Sequence, residues 1–288
     1  MASPIPFRRV AIVGTGLIGG SFALALRQQF PHVSLVGFSR PNSAARALAR
    51  EAIDEAAPDL ASAVQGADLV YMALPIGATI EALSTVAKKA EPHALVTDAG
   101  STKSAICQAA RERFRTGAVF LGGHPMAGKE QSGIDRAEAE LFRGAPYVLM
   151  GVEETADRRA IQFQEVVRAI GARPLWCDPE THDWAVGIVS HLPQLLAIAL
   201  ARVVESETDE TGLPLSLAGQ GLQDTLRLAG SPYSVWRDIL LTNTDNVSRA
   251  LDRLGQAIEY LRMNLTRKDL EQEFAGANQL YQQLRRPS

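Results

Sequence analysis

The sequence is poor in cysteine, in long apolar runs and in unbalanced charge. Cys107 and Cys177 are the only cysteines among 288 residues, too few for a disulfide framework and without the spacing of a metal site. No metal is therefore expected. No apolar run is read as approaching the ~20 residues of a membrane span. The 29 basic residues are outnumbered by 32 acidic ones, for a net charge of −3. Nothing in that balance points to nucleic acid or to a membrane as partner. The opening MASPIPFRRVAIVG lacks the layout of a secretory signal, because its apolar run lies within a strand-and-glycine pattern. What is present is ordinary for a globular chain, 46% hydrophobic and 21% charged. At ~100–200 residues per domain this allows one large domain or two ordinary ones. A cytoplasmic enzyme is the expectation.

The first part of the chain alternates short apolar runs with helical patterns. Runs at 10–13, 35–38, 69–73, 95–97, 119–121 and 147–150 read as strands. Helical periodicity falls at 17–29, 42–52, 78–90, 102–115 and 157–170. Such alternation predicts an α/β, Rossmann-type domain with a mostly parallel sheet. Continuous rather than alternating apolar strands fit a sheet buried on both faces. After Pro179 no convincing strand remains. Residues 180–206 read as one long apolar helix, kinked at Pro193, and further helices are expected at 214–229, 234–263 and 267–285. The division expected is 1–177 for the dinucleotide-binding domain and 178–288 for an all-helical domain. Wide apolar faces in the helical part predict a homodimer.

Gly14–Ser21 reads GTGLIGGS and fits G-x-G-x-x-G with Gly14, Gly16 and Gly19. The three glycines serve a tight turn, a close approach of pyrophosphate to backbone, and close helix–strand packing, while the helix N-terminus faces the phosphates. The motif alone is weak, but here a strand precedes it and a helix and second strand follow. The cofactor-binding set expected is Gly14, Gly16, Leu17, Ile18, Gly19, Ser39, Arg40, Ser43, Leu74 and Pro75. An NAD-preferring loop usually carries an acidic residue at the end of the second strand. Here Ser39 and Arg40 stand there, and a hydroxyl and a guanidinium accept a 2′-phosphate. NADP is therefore the preferred cofactor, with NAD possible. The plainer alternative is a solvent-facing Arg40.

Three more stretches carry chemistry: DAGSTK (98–103), GGHPMAGKEQSG (122–133) and HDWAVGIVSHLPQ (182–194). With GTGLIGGS and DTLRLAGSPYSVWRDI (224–239), their order resembles the prephenate and arogenate dehydrogenases of tyrosine biosynthesis over nearly the whole chain. HPMAG and SHLP at this spacing are far more specific than the glycine loop. The resemblance implies oxidative decarboxylation of a small cyclohexadienyl acid. Hydride leaves C4 for the nicotinamide, the 4-hydroxyl proton leaves to a base, and carbon dioxide leaves C1. Which of the two substrates is used stays open, as does inhibition by tyrosine.

By this resemblance His124 is the catalytic histidine, a neutral imidazole suited to accept a proton, with an acid limb expected within about a unit of 6.5. Ser101 matches the serine that bonds that histidine and the substrate hydroxyl; its alternative is the N-cap of the helix expected at 102–115. Arg227 matches an arginine that grips a substrate carboxylate, against a solvated helix charge. His191 matches a second substrate-proximal histidine, against a core histidine. Trp236 matches a tryptophan reaching the neighbouring subunit's site, against core packing. Glu130 and Asp224 match acidic positions at the site entrance. Lys129 departs from the family's common threonine and could attract a carboxylate instead.

Two other readings remain. A β-hydroxyacid dehydrogenase also pairs a dinucleotide fold with helices, but needs a lysine on the first long helix, and residues 179–205 contain none. A non-catalytic NADP-sensing protein would have no use for Ser101, His124, His191 and Arg227 together.

Overall fold

The computed structural model describes residues 7–129, 131–268 and 270–285. Nine strands are named in chain order. They are β1 (Arg9–Val13), β2 (Ser34–Phe38), β3 (Glu55–Ala56), β4 (Leu69–Met72), β5 (Leu95–Asp98), β6 (Val119–Leu121), β7 (Gly123–Pro125), β8 (Pro146–Met150) and β9 (Arg173–Cys177). The first six form one sheet in the order β3-β2-β1-β4-β5-β6, with every pairing parallel. Their connections run through α1 (Leu17–Gln29), α2 (Pro41–Ala49), α3 (Leu60–Val64), α4 (Ile76–Lys89) and α5 (Ser104–Arg113).

The continuous apolar strands have a direct cause. Successive side chains point to opposite faces, and both faces are covered. Val10 and Ile12 of β1, with Leu69 and Tyr71 of β4, join one core cluster. Ala11, Val13, Val70 and Met72 join the other.

A second, three-stranded sheet was not foreseen. In it β8 pairs antiparallel with β7 and parallel with β9, which follows α6 (Arg158–Ala169). β7 is only three residues long and ends in proline, and β9 begins Arg-Pro, so neither carries a strand signature.

The helical half begins at α7 (Pro179–Val186). A π-turn (Gly187–His191) follows, then α8 (Leu192–Ser206). The expected kink at Pro193 is thus a π-turn just ahead of the proline, a usual accommodation for a missing donor and a frequent mark of a functional site. The expected helix at 214–229 is broken into α9 (Leu213–Ser216), α10 (Gln220–Leu226) and a 3₁₀ turn (Arg227–Gly230). That at 234–263 divides at Asn243 into α11 (Tyr233–Thr242) and α12 (Thr244–Met263), and α13 (Leu270–Arg285) ends the described chain.

One sequence expectation is corrected. The rod Pro179–Ser206 holds an 18-residue window of mean hydropathy 1.6, of which 28% is buried, long and apolar enough to cross a membrane by those criteria. It also buries His182, Asp183, His191 and Gln194 inside the protein. Several polar ties bind this half to the first. Asp183 accepts from the amides of Lys103 and Ser104 at 2.7 and 2.9 Å, Asp238 accepts from Gly77 N at 3.0 Å, and the Thr102 and Thr242 hydroxyls lie 2.7 Å apart.

Candidate active site

The order of the sheet reverses between β1 and β4, and ligands of open α/β sheets bind at such a switch point, beyond the carboxyl ends of the strands. Gly14 leaves β1 with φ +99°, and a Cβ there would lie 2.4 Å from Ala73 O. A Cβ on Gly19 would lie 1.9 Å from Gly14 O, whereas nothing lies within 4 Å of one on Gly16. The turn and the helix packing demand glycine at the first two, and Gly16 leaves the backbone open to a ligand. α1 has no side-chain cap at its N-terminus, so its amides there are left to an anion such as pyrophosphate. Leu17 and Ile18 are partly buried in the first turn, and Leu74 and Pro75 lead into α4 across the switch point. These residues fit a dinucleotide. Ser39 is partly buried and Arg40 is exposed at the entry to α2. Ser43 is already engaged, since its hydroxyl donates to Thr15 O at 3.0 Å and lies 3.2 Å from Thr15 Oγ1.

At the carboxyl ends of β5 and β6 a buried ion pair holds the next element. Asp98 and Lys103 are both fully buried and directly paired. Asp98 accepts from Gly123 N at 3.2 Å, and the Lys103 ammonium donates to Gly123 O at 2.8 Å. The residue before His124 is thus held at both backbone groups.

His124 lies on β7, paired with Val148, and is 9% exposed. Its Nδ1 is 2.8 Å from Nε2 of His182, whose Nδ1 is 2.8 Å from Oδ1 of Asp183. Burial pushes the Asp183 pKa up, but the bonds from His182, Ser104 and Lys103 outweigh it and leave the group below its ordinary value. An ionised Asp183 only accepts, so His182 donates from Nδ1, and in the neutral ring Nε2 carries the lone pair. His124 must then donate from Nδ1, which leaves Nε2 as its basic nitrogen. Burial, then the neighbouring His182, Lys103 and His191, hold the His124 pKa well below 6.5. This corrects the expected titration near 6.5.

Asp183 also settles the alternative for Ser101. α5 starts at Ser104 with no side-chain cap of its own. The carboxylate of Asp183 binds its first amides instead, and the helix dipole favours that anion. Ser101 lies partly buried in the bend before α5. It is neither the cap nor the hydrogen-bond partner of His124, which is His182.

His191, on the π-turn, is 1% exposed, and Trp236 of the same chain meets its ring edge-on, with centroids 5.7 Å apart at 89°. Trp236 also packs on the cluster of Ile76, Ile106 and Ile239. Within this chain it therefore borders His191. Arg227 is exposed and opens the 3₁₀ turn. Asp224 is exposed and accepts from Gln220 at 2.8 Å. Lys129 pairs with Glu138 at 2.8 Å, a bond that a substrate carboxylate would have to compete with. Glu130 lies outside the described residues. His182, Asp183 and Asn243 were not singled out by their residue types. The only signal was the adjacency of His182 and Asp183 one helix ahead of SHLP.

Residues 22–175 match the family model for the prephenate dehydrogenase nucleotide-binding domain, and residues 178–279 match that for the prephenate dehydrogenase dimerization domain. A prephenate dehydrogenase of Lactococcus lactis is 33% identical over 264 residues, covering 91% of this chain and 72% of that one. The prephenate dehydrogenase of Aquifex aeolicus, solved with hydroxyphenyl propionate and NAD+, aligns with a TM-score of 0.87 at 27% identity over 98% of this chain and 99% of that chain. The arogenate dehydrogenase of Synechocystis aligns with a TM-score of 0.76 at 32% identity, over 96% of each chain.

Proposed function

Taking as premise that this chain belongs to the prephenate dehydrogenase family of tyrosine biosynthesis, we propose that it oxidises and decarboxylates prephenate or arogenate, with hydride passing to a nicotinamide dinucleotide, preferably NADP. The observation that carries this is the run His124–His182–Asp183, with His124 on β7 just past the carboxyl end of β6.

The bound dinucleotide supplies the hydride acceptor. This chain's residues do the rest. His124 Nε2 takes the proton of the 4-hydroxyl as hydride departs and carbon dioxide leaves C1, and returns it to the phenolate oxygen of the aromatised product. The imidazolium formed in a buried site would be unfavourable alone. Its Nδ1–H bond to His182, backed by the Asp183 anion, offsets that at the moment the charge appears. Ser101, in the bend before α5, meets the substrate hydroxyl. Arg227 grips a substrate carboxylate, a charge-assisted pair of the bidentate kind. His191 and Trp236 form a wall beside the ring, and Lys129 the rim. Ser39 and Arg40 receive the ribose end of the cofactor. We assign 1–177 to cofactor binding and 178–288 to substrate binding and dimerisation, in a cytoplasmic homodimer.

The test is an assay of prephenate and of arogenate, each with NAD+ and with NADP+, following reduced nicotinamide and released carbon dioxide together. Both should appear in equal amounts with at least one pair. Reduction without decarboxylation, or no turnover with any pair, overturns the reading.

A further inference from the structure

We infer that Asn243 is a positioning residue that fixes His191 as its Nε2–H tautomer, so that His191 meets the substrate as a neutral hydrogen-bond donor. The contact with substrate rests on the function proposed above; the tautomer does not.

Asn243 is 3% exposed at the joint between α11 and α12. Its Nδ2 lies 2.7 Å from the backbone oxygen of Asp183 and 3.2 Å from Nδ1 of His191, and its Oδ1 lies 2.7 Å from Nδ2 of Asn246. Only one orientation of the amide satisfies all three. Turning it over would set its oxygen against the Asp183 carbonyl, two acceptors face to face. With the amide nitrogen toward Asp183, one N–H serves that carbonyl and the other points at His191. Nδ1 of His191 must then accept.

The ring is neutral at ordinary pH. Burial lowers the His191 pKa to about 4, with Asp183 pulling it up and His182 pushing it down. A neutral imidazole that accepts at Nδ1 carries its proton on Nε2. The edge contact with Trp236 holds the ring plane from the other side.

Asp183 thus governs two histidines through two different groups. Its carboxylate orders His182, which makes His124 basic at Nε2. Its backbone oxygen orders Asn243, which makes His191 protonated at Nε2. A base and a donor are what an alcohol oxidation beside substrate oxygens needs. The sequence places these histidines 67 positions apart, at 124 and 191, and only Asp183 and Asn243 distinguish their protonation.

The first test uses the full-length protein with ¹⁵N-labelled histidine rings at neutral pH. The His191 signals, assigned by their loss in His191→Gln, should show Nδ1 bare and Nε2 protonated. The opposite tautomer, or a charged ring, overturns the inference even if the enzyme is active. The second test is a double-mutant cycle. Asn243→Ala should raise KM for the substrate turned over by about tenfold, the upper end for one neutral hydrogen bond, with kcat changed by less than about threefold. In the His191→Gln background, where a side-chain amide donates without needing a tautomer, the same change should add less than about twofold. Equal losses in both backgrounds would make Asn243 a support of the fold alone, and would overturn the proposal. If no cyclohexadienyl acid is turned over at all, the proposed function falls while the ring signals still decide the tautomer.

Discussion

His182 stands between His124 and Asp183, with its Nε2 2.8 Å from one and its Nδ1 2.8 Å from the other. The direction of both bonds follows from the aspartate. Asp183→Asn, with its new amide turned to His182 Nδ1 at the cost of the bond from Lys103 N, would donate there and reverse His182 and, through it, His124. Nε2 of His124 would then carry a proton and could not take another. The expected outcome is a fall in kcat within the ~10²–10⁴-fold range of a general base, with KM changed much less. The amides that Asp183 caps on α5 make a loss of about 1 kcal/mol in stability the companion effect. Steady-state kinetics and thermal melts check both. A near-normal kcat with lowered stability would reduce Asp183 to a helix cap.

The acid limb of the reaction should fall below 6.5, because His124 is held well below that value by burial and by its cationic and histidine neighbours. The neutral ring is the active form, so kcat/KM should stay flat as pH drops through 6.5 and decline only at lower pH. A limb at 6.5 or above would contradict the site geometry. Stability has its own sign. His124 and His191 have depressed pKa values in the folded chain, so below 6.5 the unfolded chain takes up protons that the folded one refuses. The stability they contribute is full above 6.5 and is lost as pH falls from there. For His191, lowered to about 4, the loss by pH 4 is roughly 3 kcal/mol. Denaturant melts across that window should show it in the wild type and not in His191→Gln.

The parts of this molecule that follow local rules were readable from the chain. β1, the glycine turn and α1 are legible because strand, positive φ and helix N-terminus each leave their mark within a few residues. His124 is singled out in the sequence by its HPMAG setting and the resemblance that it carries. Asp183 and Asn243 are not, because their significance is entirely long-range. Asp183 caps a helix 79 positions earlier, and Asn243 reaches a ring 52 positions away. A helix that borrows its cap from the helical half looks uncapped in sequence, which makes Ser101 stand out there as a cap candidate. β7 and β9 were missed for a similar reason. They exist only because β8 lies between them.

A homodimer should form through the helical half. Large apolar side chains stand in solvent there, including Leu241 at 72%, Phe274 at 74% and Leu284 at 79%. Of the 15 residues of α8 only Gln194 and Ala197 are buried. Exposed apolar area of this extent marks an association surface. Light scattering at micromolar concentration should give twice the 31.0 kDa chain mass, and Leu241→Glu should weaken the association. A monomer with full activity would contradict the assignment.

Cofactor choice offers the quickest discrimination. After β2, Ser39 and Arg40 present no carboxylate to repel a 2′-phosphate, and the first turn of α2 has no acidic residue. Arg40 is exposed and free to swing toward the ribose, and a charge-assisted bond is worth ~1.5–3 kcal/mol, or roughly 10- to 150-fold in kcat/KM. Ser43 adds less than its position suggests, because its hydroxyl proton is already given to Thr15 O. Arg40→Ala should therefore remove most of the preference for NADP and leave NAD use nearly unchanged, while Ser43→Ala should lower the use of both by loosening the glycine turn. Ser39→Asp should reverse the preference, by repelling the phosphate and offering the 2′-hydroxyl of NAD an acceptor. Raising salt should erode the wild-type advantage, since the loop is near the surface. Initial rates with each cofactor at saturating substrate decide the matter. Equal or better use of NAD by the wild type would mean that Arg40 stays in solvent and that the loop does not select the phosphate.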